Sequence, residues 1–321
     1  MSHDTSAKST AARRASGASP TPLERYSATA SSSARVVITK YSTSFSLACR
    51  MLDKQSQMHI ANVYALVRLV DEVVDGVARE AGLSDQATAQ ALDRLEAETE
   101  AALQSGYSTN MIVHAFACTA RRSHIDTDLT RPFFTSMRND LSISSHDEAS
   151  LDQYIFGSAE VVGLMCLRIF RSAPDAPTGH DAEVESAARH LGAAFQKVNF
   201  LRDLAVDTSV LGRCYFPGLD PSGFSDEHKN KLVQEIHDDL DAAARGIAYL
   251  PPRAALAVSL AHGLFAELNT QLERTSAADL RLHRVSVSSG RKATIALQAL
   301  LSYSFKWPRP MNKPQHQESQ K

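Results

Sequence analysis

The chain has 321 residues, of which 43% are hydrophobic, so it is long enough to bury the core of one large domain or two small ones. A minimal binding module is excluded by this length. Thirty-four basic and thirty-six acidic side chains nearly cancel, so no strong global field draws the chain to nucleic acid or to an anionic membrane, and an anionic substrate has to be held locally.

Both ends of the chain are predicted to be disordered tails. Residues 1–34 are rich in Ser, Ala and Thr and show no apolar periodicity that could bury a core. An organelle transit peptide is the alternative for this stretch, although Asp4 and Glu24 weaken it. Residues 308–321 form the second tail, so the predicted folded domain spans residues 35–307.

Between the tails, apolar residues recur at spacings of three and four, and sustained strand-like alternation is absent. We therefore predict an all-α fold, a single-domain helical bundle. Turn residues separate the helices at 173–179, 218–223 and Pro251-Pro252, and Ser225 followed by two acids predicts a helix start. The predicted helices cover residues 41–52, 55–80, 84–105, 109–122, 131–141, 149–172, 180–208, 226–249, 253–275 and 289–305.

The cysteines indicate a compartment. They stand singly in apolar segments, which is typical of buried thiols in a reducing environment, and we expect a cytoplasmic protein. A run of eighteen apolar residues and a secretion signal are both absent, which disfavours a spanning helix. A peripheral membrane contact stays open, because no docking helix stands out. The four thiols are Cys49, Cys118, Cys166 and Cys214.

Two carboxylates lie four residues apart in the predicted helix 55–80, which is apolar on most sides. Asp71 and Asp75 therefore share one face. Like charges at this spacing cost a helix about 0.2–0.5 kcal/mol, and burying them costs far more unless a cation lies between them. Arg68 lies near the same face and could pair with the acids or bind a phosphate. A solvated surface is the other interpretation of this pair.

A second polar set follows about 130 residues later, on one face of the predicted helix 180–208. Its members are Gln196, Asn199, Asp203 and Asp207, flanked by Lys197 and Arg202. Magnesium takes one or two carboxylates together with water and phosphate oxygens, so two facing helices with paired acids suit a diphosphate held through bridging ions. In the next segment, the guanidinium of Arg213 could reach a phosphate and the hydroxyl of Tyr215 could lie at the same mouth.

Small residues interrupt the predicted helix 149–172 between Tyr154 and Gly163. Each interior glycine costs about 1 kcal/mol relative to alanine, so either close helix packing or room for a ligand chain is required. Glu160 in this run is either a surface acid or a polar group near the site. The cluster from His237 to Asp241 is interpreted as a solvated face, and neither a zinc spacing nor a P-loop is present.

This combination resembles the squalene/phytoene synthase family over about residues 38–305. Four blocks appear in the family's order. They are Tyr41-Ser-Thr-Ser-Phe-Ser46; Tyr64 through Arg68 to Asp71 and Asp75; Tyr154 to Gly163; and Gln196 through Asn199, Arg202, Asp203 and Asp207 to Arg213 and Pro217.

The resemblance implies an isoprenoid synthase fold in which two aspartate sets face each other across a central cavity and bind magnesium with the substrate diphosphates. Manganese could replace magnesium. The expected metal ligands are Asp71, Asp75, Asn199, Asp203 and Asp207, with Tyr215 as a further catalytic candidate. The expected diphosphate contacts are Arg68, Arg202 and Arg213, and the expected cavity lining is Ser42, Phe45, Tyr64, Tyr154, Val162, Gly163 and Gln196.

The sequence departs from the family pattern at three places. Glu72 stands where a second consecutive aspartate is common, and Ala205-Val206 replaces a usual Gly-Glu pair before the last aspartate. Glu160 replaces a glycine, which bears on the shape of the cavity and hence on substrate length. All principal carboxylates are kept.

The activity that the resemblance implies is head-to-head condensation of two geranylgeranyl diphosphates, through a cyclopropylcarbinyl diphosphate, to phytoene without NADPH. Reductive eukaryotic members carry an apolar segment and a membrane anchor that we do not see in residues 284–292 or after them. A synthase that makes squalene or dehydrosqualene from farnesyl diphosphate is the alternative. A non-catalytic assembly or scaffold protein is a further one, although the intact acids on both helices argue against it. A terpene cyclase would share the helical fold, but its second metal motif usually carries a Ser or Thr and a Glu after an Asn. This chain has Asp203 and Asp207 instead, which disfavours a cyclase.

Overall fold

A computed structural model describes residues 19–143, 146–209, 215 and 223–306, excluding the side chains of residues 43–44, 206–209 and 301–306. This part of the chain is almost entirely helical and contains no strand, so the predicted all-α fold is confirmed. Its helices are α1 (Pro22–Tyr41), α2 (Thr43–Cys49), α3 (Lys54–Val74), α4 (Val77–Glu80), α5 (Asp85–Ser105), α6 (Met111–Ser123), α7 (Thr127–Asn139), α8 (Glu148–Ile155), α9 (Val161–Arg171), α10 (Asp181–Ser209), α11 (Asp226–Gly246), α12 (Pro252–Arg274), α13 (Ala277–Leu280) and α14 (Ser289–Lys306).

Helix α1 corrects the predicted disordered tail, because residues 22–34 are folded. Thr21 and Glu24 form a capping box at its start. Ala30 and Ala34 are fully buried against Ala65 of α3 and Ala115 of α6. An alanine stripe lets helices approach closely while burying little apolar surface, and for that reason the segment lacked a core signal. The folded domain therefore begins near residue 22, and residues 1–18 and 307–321 of the predicted tails lie outside the described residues.

Helix α3 carries the first acid pair. Asp53 caps its start by accepting hydrogen bonds from the backbone N–H groups of Gln55 and Ser56, at 2.9 and 3.0 Å. The predicted helix 55–80 is broken because Gly76 has a φ of 122°, a backbone conformation that favours glycine. Asp75 therefore lies at the C-terminal end of α3, and its N–H donates to the carbonyl of Asp71.

The predicted helix 149–172 is likewise not one regular helix. A π-helical segment, Phe156–Glu160, lies between α8 and α9. The stretch Glu148–Arg171 is long and apolar enough to cross a membrane by length and composition alone. Its buried residues pack inside the protein, with Val161, Leu164 and Met165 in the main hydrophobic cluster beside α3 and α6. We therefore treat it as a core helix.

Candidate active site

The acid end of α3 is crowded with carboxylates. Burial, together with the negative charges of Asp75 and Asp140, raises the pKa of Asp71 to about 8, against the opposing charge of Arg68. Asp71 itself is half-buried, whereas Asp75 is exposed. The two acids of the first set therefore interact as the helical spacing predicts.

Arg68 lies one turn before Asp71. Its guanidinium forms an ion pair with Glu72 and lies over the ring of Tyr41, with the guanidinium carbon 4.6 Å from the ring centroid. Its Nε is buried and has no hydrogen-bond partner within the described part of the chain. A buried donor without an acceptor is costly, so an anion bound here would be favoured. The predicted phosphate contact fits this environment.

Asp140, at the C-terminal end of α7, is a site residue that the sequence did not reveal. The hydroxyl of Tyr154 donates to Asp140 Oδ2 at 2.9 Å, and the hydroxyl of Tyr215 lies 3.5 Å from Asp140 Oδ1. Its charge reaches Asp71, as the pKa of that residue shows. A negative charge at a helix C-terminus interacts unfavourably with the helix macrodipole. This unfavourable position was the signal in the sequence that Asp140 could have a functional role.

The second acid set lies on α10. Asp203 pairs with Arg202 at 2.5 Å and with Arg284 at 2.7 Å, between Arg284 Nε and Asp203 Oδ1. No role for Arg284 was predicted from the sequence. The side chain of Asp207 and all of Arg213 lie outside the described residues, so their predicted roles stay predictions.

An aromatic cluster joins the two acid-bearing regions. The ring of Tyr215 stacks on Phe200 of α10, with ring centroids 4.3 Å apart, and contacts Tyr154 at 5.4 Å. Burial, and the charge of Asp140, raise the pKa of Tyr154, so this hydroxyl stays neutral and available as a donor. Through Asp140 and these rings, α3, α7 and α10 meet at one end of the bundle.

A cavity of about 310 Å³ extends from this end into the bundle. Tyr64 of α3 and Asn199 of α10 line it, and the metal candidates Asp71 and Asp203 follow them by two turns and one turn on the same helices. The rest of the lining is almost entirely apolar, and the size falls in the range of ligand pockets. We call this cavity the chamber.

The chamber tests the predicted lining residues. Phe45, Tyr64, Val162 and Gly163 line it as predicted, and Asn199 joins them. Three residues expected in the lining are not part of it: Ser42, Tyr154 and Gln196. Ser42 caps α2 by accepting from the N–H of Phe45 at 3.2 Å, and Tyr154 belongs to the aromatic cluster.

The glycines between Tyr154 and Gly163 are explained by close helix packing. A Cβ on Gly157 would lie 2.3 Å from the carbonyl oxygen of Pro132, and one on Gly163 would lie 2.5 Å from that of Ala188. Both distances are too short for any side chain. Gly163 also lines the chamber, so its lack of a side chain both permits close helix packing and leaves space for a ligand.

Glu160 does not narrow the chamber. Arg189 of α10 donates to its carboxylate at 2.6 Å, and Glu160 is absent from the chamber lining.

The cluster from His237 to Asp241, which the sequence had predicted to be a solvated face, is not solvated throughout. Asp239 is mostly buried and pairs with His190 and Lys197 across the interface of α10 and α11, at 2.8 and 2.9 Å. Lys197 is therefore engaged away from the acids of the candidate site.

The donor set fits magnesium that shares its ligands with a diphosphate. Among the described residues, no three His, Cys, Asp or Glu side chains lie close enough to hold an ion by themselves. Magnesium usually takes only one or two protein carboxylates and completes its shell with water and phosphate oxygens. Burial, together with the charges of the neighbouring acids, raises the pKa of Asp71, and a divalent cation would stabilise its ionised form. The metal roles of individual residues stay predictions.

Residues 38–291 match the family model described as squalene/phytoene synthase. The chain is 28% identical to a phytoene synthase of Pseudescherichia vulneris over 281 residues, which is 80% of this chain and 87% of that protein. It is 30% identical to a 15-cis-phytoene synthase of a Paracoccus species over 273 residues, which is 79% and 86% of the two chains.

Solved structures share the fold. A dehydrosqualene synthase in complex with a ligand superposes with a TM-score of 0.69 at 21% identity, covering 89% of this chain and 100% of that one. The squalene synthase HpnC of Alicyclobacillus acidocaldarius superposes with a TM-score of 0.67 at 21% identity, covering 79% and 96%. Sequence match, fold and the two acid-bearing helices agree, and the chain belongs to the squalene/phytoene synthase family.

Proposed function

We propose that this protein is a prenyltransferase that joins two geranylgeranyl diphosphates head to head and forms phytoene. The observation that carries the proposal is an apolar chamber that ends at two acid-bearing helices. Membership of the squalene/phytoene synthase family and the similarity to phytoene synthases support the reaction class.

The reaction needs no reductant. Loss of diphosphate from one substrate gives an allylic cation, which the double bond of the second substrate attacks; loss of a proton then closes a cyclopropylcarbinyl diphosphate. Loss of the second diphosphate, rearrangement and loss of a second proton give a hydrocarbon with a central triene. Two diphosphates and two protons are released, so the electrons balance without NADPH.

The chain's own residues bind and orient the diphosphates at the acid end. Arg68 offers its buried Nε, and Arg202 and Arg284 lie beside Asp203, where a diphosphate could exchange for their present partner. Magnesium, held by Asp71 and Asp203 with the neighbouring acids, would supply charge neutralisation of the leaving diphosphate.

The chamber protects the cations from water. Its wall beside the acids carries Phe45 and Tyr64, whose rings stack with centroids 5.6 Å apart. Aromatic faces stabilise cations, and the apolar lining leaves few groups that could hold a water molecule. Burial raises the pKa of Tyr64, so its phenol stays neutral beside a developing cation.

Small side chains along the chamber favour the C20 substrate. Alanine, glycine and cysteine recur along α2, α9, α10, α11 and α12, which leaves length for an extended prenyl chain. Along α10 the lining runs from Val184 to Asn199, about 22 Å at 1.5 Å per residue. The small lining residues are Ala48, Cys49, Ala159, Gly163, Cys166, Ala187, Ala188, Gly192, Ala243, Gly246, Ala257 and Ala261.

The test is incubation of the purified protein and magnesium with C15 or C20 prenyl diphosphate, with and without NADPH, followed by lipid analysis. We expect a C40 triene from the C20 substrate, unchanged by NADPH and lost with EDTA. A C30 product formed only from farnesyl diphosphate would favour the squalene or dehydrosqualene alternative. The absence of hydrocarbon under every condition would favour a scaffold protein.

A further inference from the structure

The outer face of α14 and the segment before it expose large apolar side chains. Leu282 is 69% exposed, Leu297 57% and Leu300 41%. Leu297 and Leu300 share one helical face with Ala293, at spacings of four and three residues. Surface helices normally turn polar residues outward, so two exposed leucines on one face indicate an interaction surface. We call Ala293, Leu297 and Leu300 the outer face of α14.

The same part of the chain is strongly cationic. Residues 280–317 contain seven Lys and Arg residues and no Asp or Glu, although the composition of the whole chain would place about four acids in a stretch of this length. The chain's single tryptophan, Trp307, follows α14 directly in the sequence. Basic residues beside exposed apolar ones, with tryptophan near the edge, are typical of segments that lie on a bilayer.

Acids on neighbouring elements neutralise only part of this charge. Arg284 pairs with Asp203, and Arg291 pairs with Glu267 of α12 at 2.9 Å. Lys292 has no acidic partner among the described residues. Within the described residues, Lys292 therefore keeps an uncompensated positive charge on the same helix as the apolar outer face.

Helix α14 also covers the chamber. Its inner side places Ile295 in a cluster with Ala48, Leu260, Ala261 and Leu264, and Phe195 packs against this cluster. Of these residues, Ala48, Phe195 and Ala261 line the chamber. One layer of side chains thus separates the chamber from α14, and Leu297 and Leu300 lie on the other side of that helix.

We infer that the outer face of α14, with Leu282 and the basic residues around it, docks on an anionic lipid bilayer and sets the chamber wall against the membrane. The charge selects this partner, because a second copy of the chain would bring like charges together, whereas an anionic leaflet attracts Lys and Arg. The proposed function supplies only the reason for docking, because a hydrocarbon product has to leave into lipid; the docking surface itself is inferred from exposure and charge.

The test is co-sedimentation of the full-length protein with two kinds of vesicle, phosphatidylcholine alone and phosphatidylcholine mixed with phosphatidylglycerol. We expect binding to the mixed vesicles that weakens with salt, and little binding to phosphatidylcholine alone. Leu297→Glu should weaken the partition by about tenfold, because it removes an apolar side chain that the bilayer would bury and adds a negative charge. Leu23→Glu is the matched control, since Leu23 on α1 is also 57% exposed.

Three results would overturn the inference: binding to neither kind of vesicle, equal binding to both, or equal losses in the two variants. Circular dichroism melts establish that both variants fold. Hydrocarbon synthesis in detergent, measured separately, distinguishes the two proposals. A protein that makes hydrocarbon without binding vesicles contradicts the docking surface, whereas one that binds vesicles through Leu297 and makes none contradicts the proposed function.

Discussion

Replacing Asp71 by Asn tests the crowding of carboxylates at the acid end. Burial and the charges of Asp75 and Asp140 raise the pKa of Asp71 from 3.8 to about 8. Between these two values the folded protein keeps a proton that the unfolded chain has lost, so stability falls as the pH rises through this window. The amide does not ionise, so the variant escapes this loss. We expect Asp71→Asn to be more stable than the wild type at about pH 8.5 and close to it at about pH 4.5.

The size of the effect follows from the shift and from the exposure of the group. At 1.36 kcal/mol per unit, the full shift would correspond to about 6 kcal/mol of unfolding free energy. Asp71 is only half-buried, and solvent screening reduces this upper bound, so we expect about 1–2 kcal/mol. In a chain of this length, that difference raises Tm by about 3 °C.

Thermal melts in EDTA across this pH range measure the effect. Asp85→Asn is the control, because Asp85 is an exposed acid that pairs with Arg79 on the surface, and its removal should give no gain at high pH. Magnesium should raise the Tm of the wild type at about pH 8.5 and have little effect on Asp71→Asn. If Asp71→Asn is no more stable than the wild type at the alkaline end, burial and the neighbouring carboxylates do not raise the pKa of Asp71 as described.

Three further variants test other parts of the site. Asp140→Asn removes a charge that raises the pKa of Asp71, so the acidic limb of the rate–pH profile should move to lower pH. Gly163→Ala forces a Cβ to 2.5 Å from a backbone carbonyl and should cost about 1–3 kcal/mol in denaturant melts. Arg284→Gln breaks an exposed pair that contributes less than about 1 kcal/mol to folding, so Tm should hold while KM for the diphosphate rises about tenfold.

Each of these variants has a result that contradicts its reasoning. An unshifted pH profile in Asp140→Asn would remove that carboxylate from the electrostatics of the site. Gly290→Ala is the control for Gly163→Ala, because no atom lies within 4 Å of its added Cβ, and equal losses in both would refute close packing. A large fall in Tm with unchanged KM would make Arg284 a structural residue.

Much of the helical architecture could be read from the sequence, because long amphipathic helices carry strong periodicity. Helix α1 could not, since its buried face consists of alanines, which give no strong apolar periodicity. Its serines are typical of loops, but the hydroxyls of Ser32 and Ser33 donate to the carbonyls of Ala28 and Thr29 in the preceding turn of the helix. The break at Gly76 was also missed, because a single glycine within an apolar pattern leaves the periodicity intact.

The site shows the same division between local and long-range information. The acid pairs Asp71/Asp75 and Asp203/Asp207 could be predicted, because the two acids of each pair lie four residues apart in one helix. Asp140 and Arg284 did not, because their partners lie on other helices, far away in the sequence. Tyr154 was placed in the lining by resemblance, whereas its ring and hydroxyl are taken up by the aromatic cluster and by Asp140.

The central claim is that two acid-bearing helices at the end of one apolar chamber carry out prenyl coupling. Its most direct test measures hydrocarbon and diphosphate formed from geranylgeranyl diphosphate by the wild type, Asp71→Asn, Asp203→Asn and the surface control Asp85→Asn. We expect two diphosphates for each C40 triene in the wild type and the control, and a loss of about a thousandfold in each site variant. Near-normal turnover in both site variants, with their folds intact, would contradict the claim.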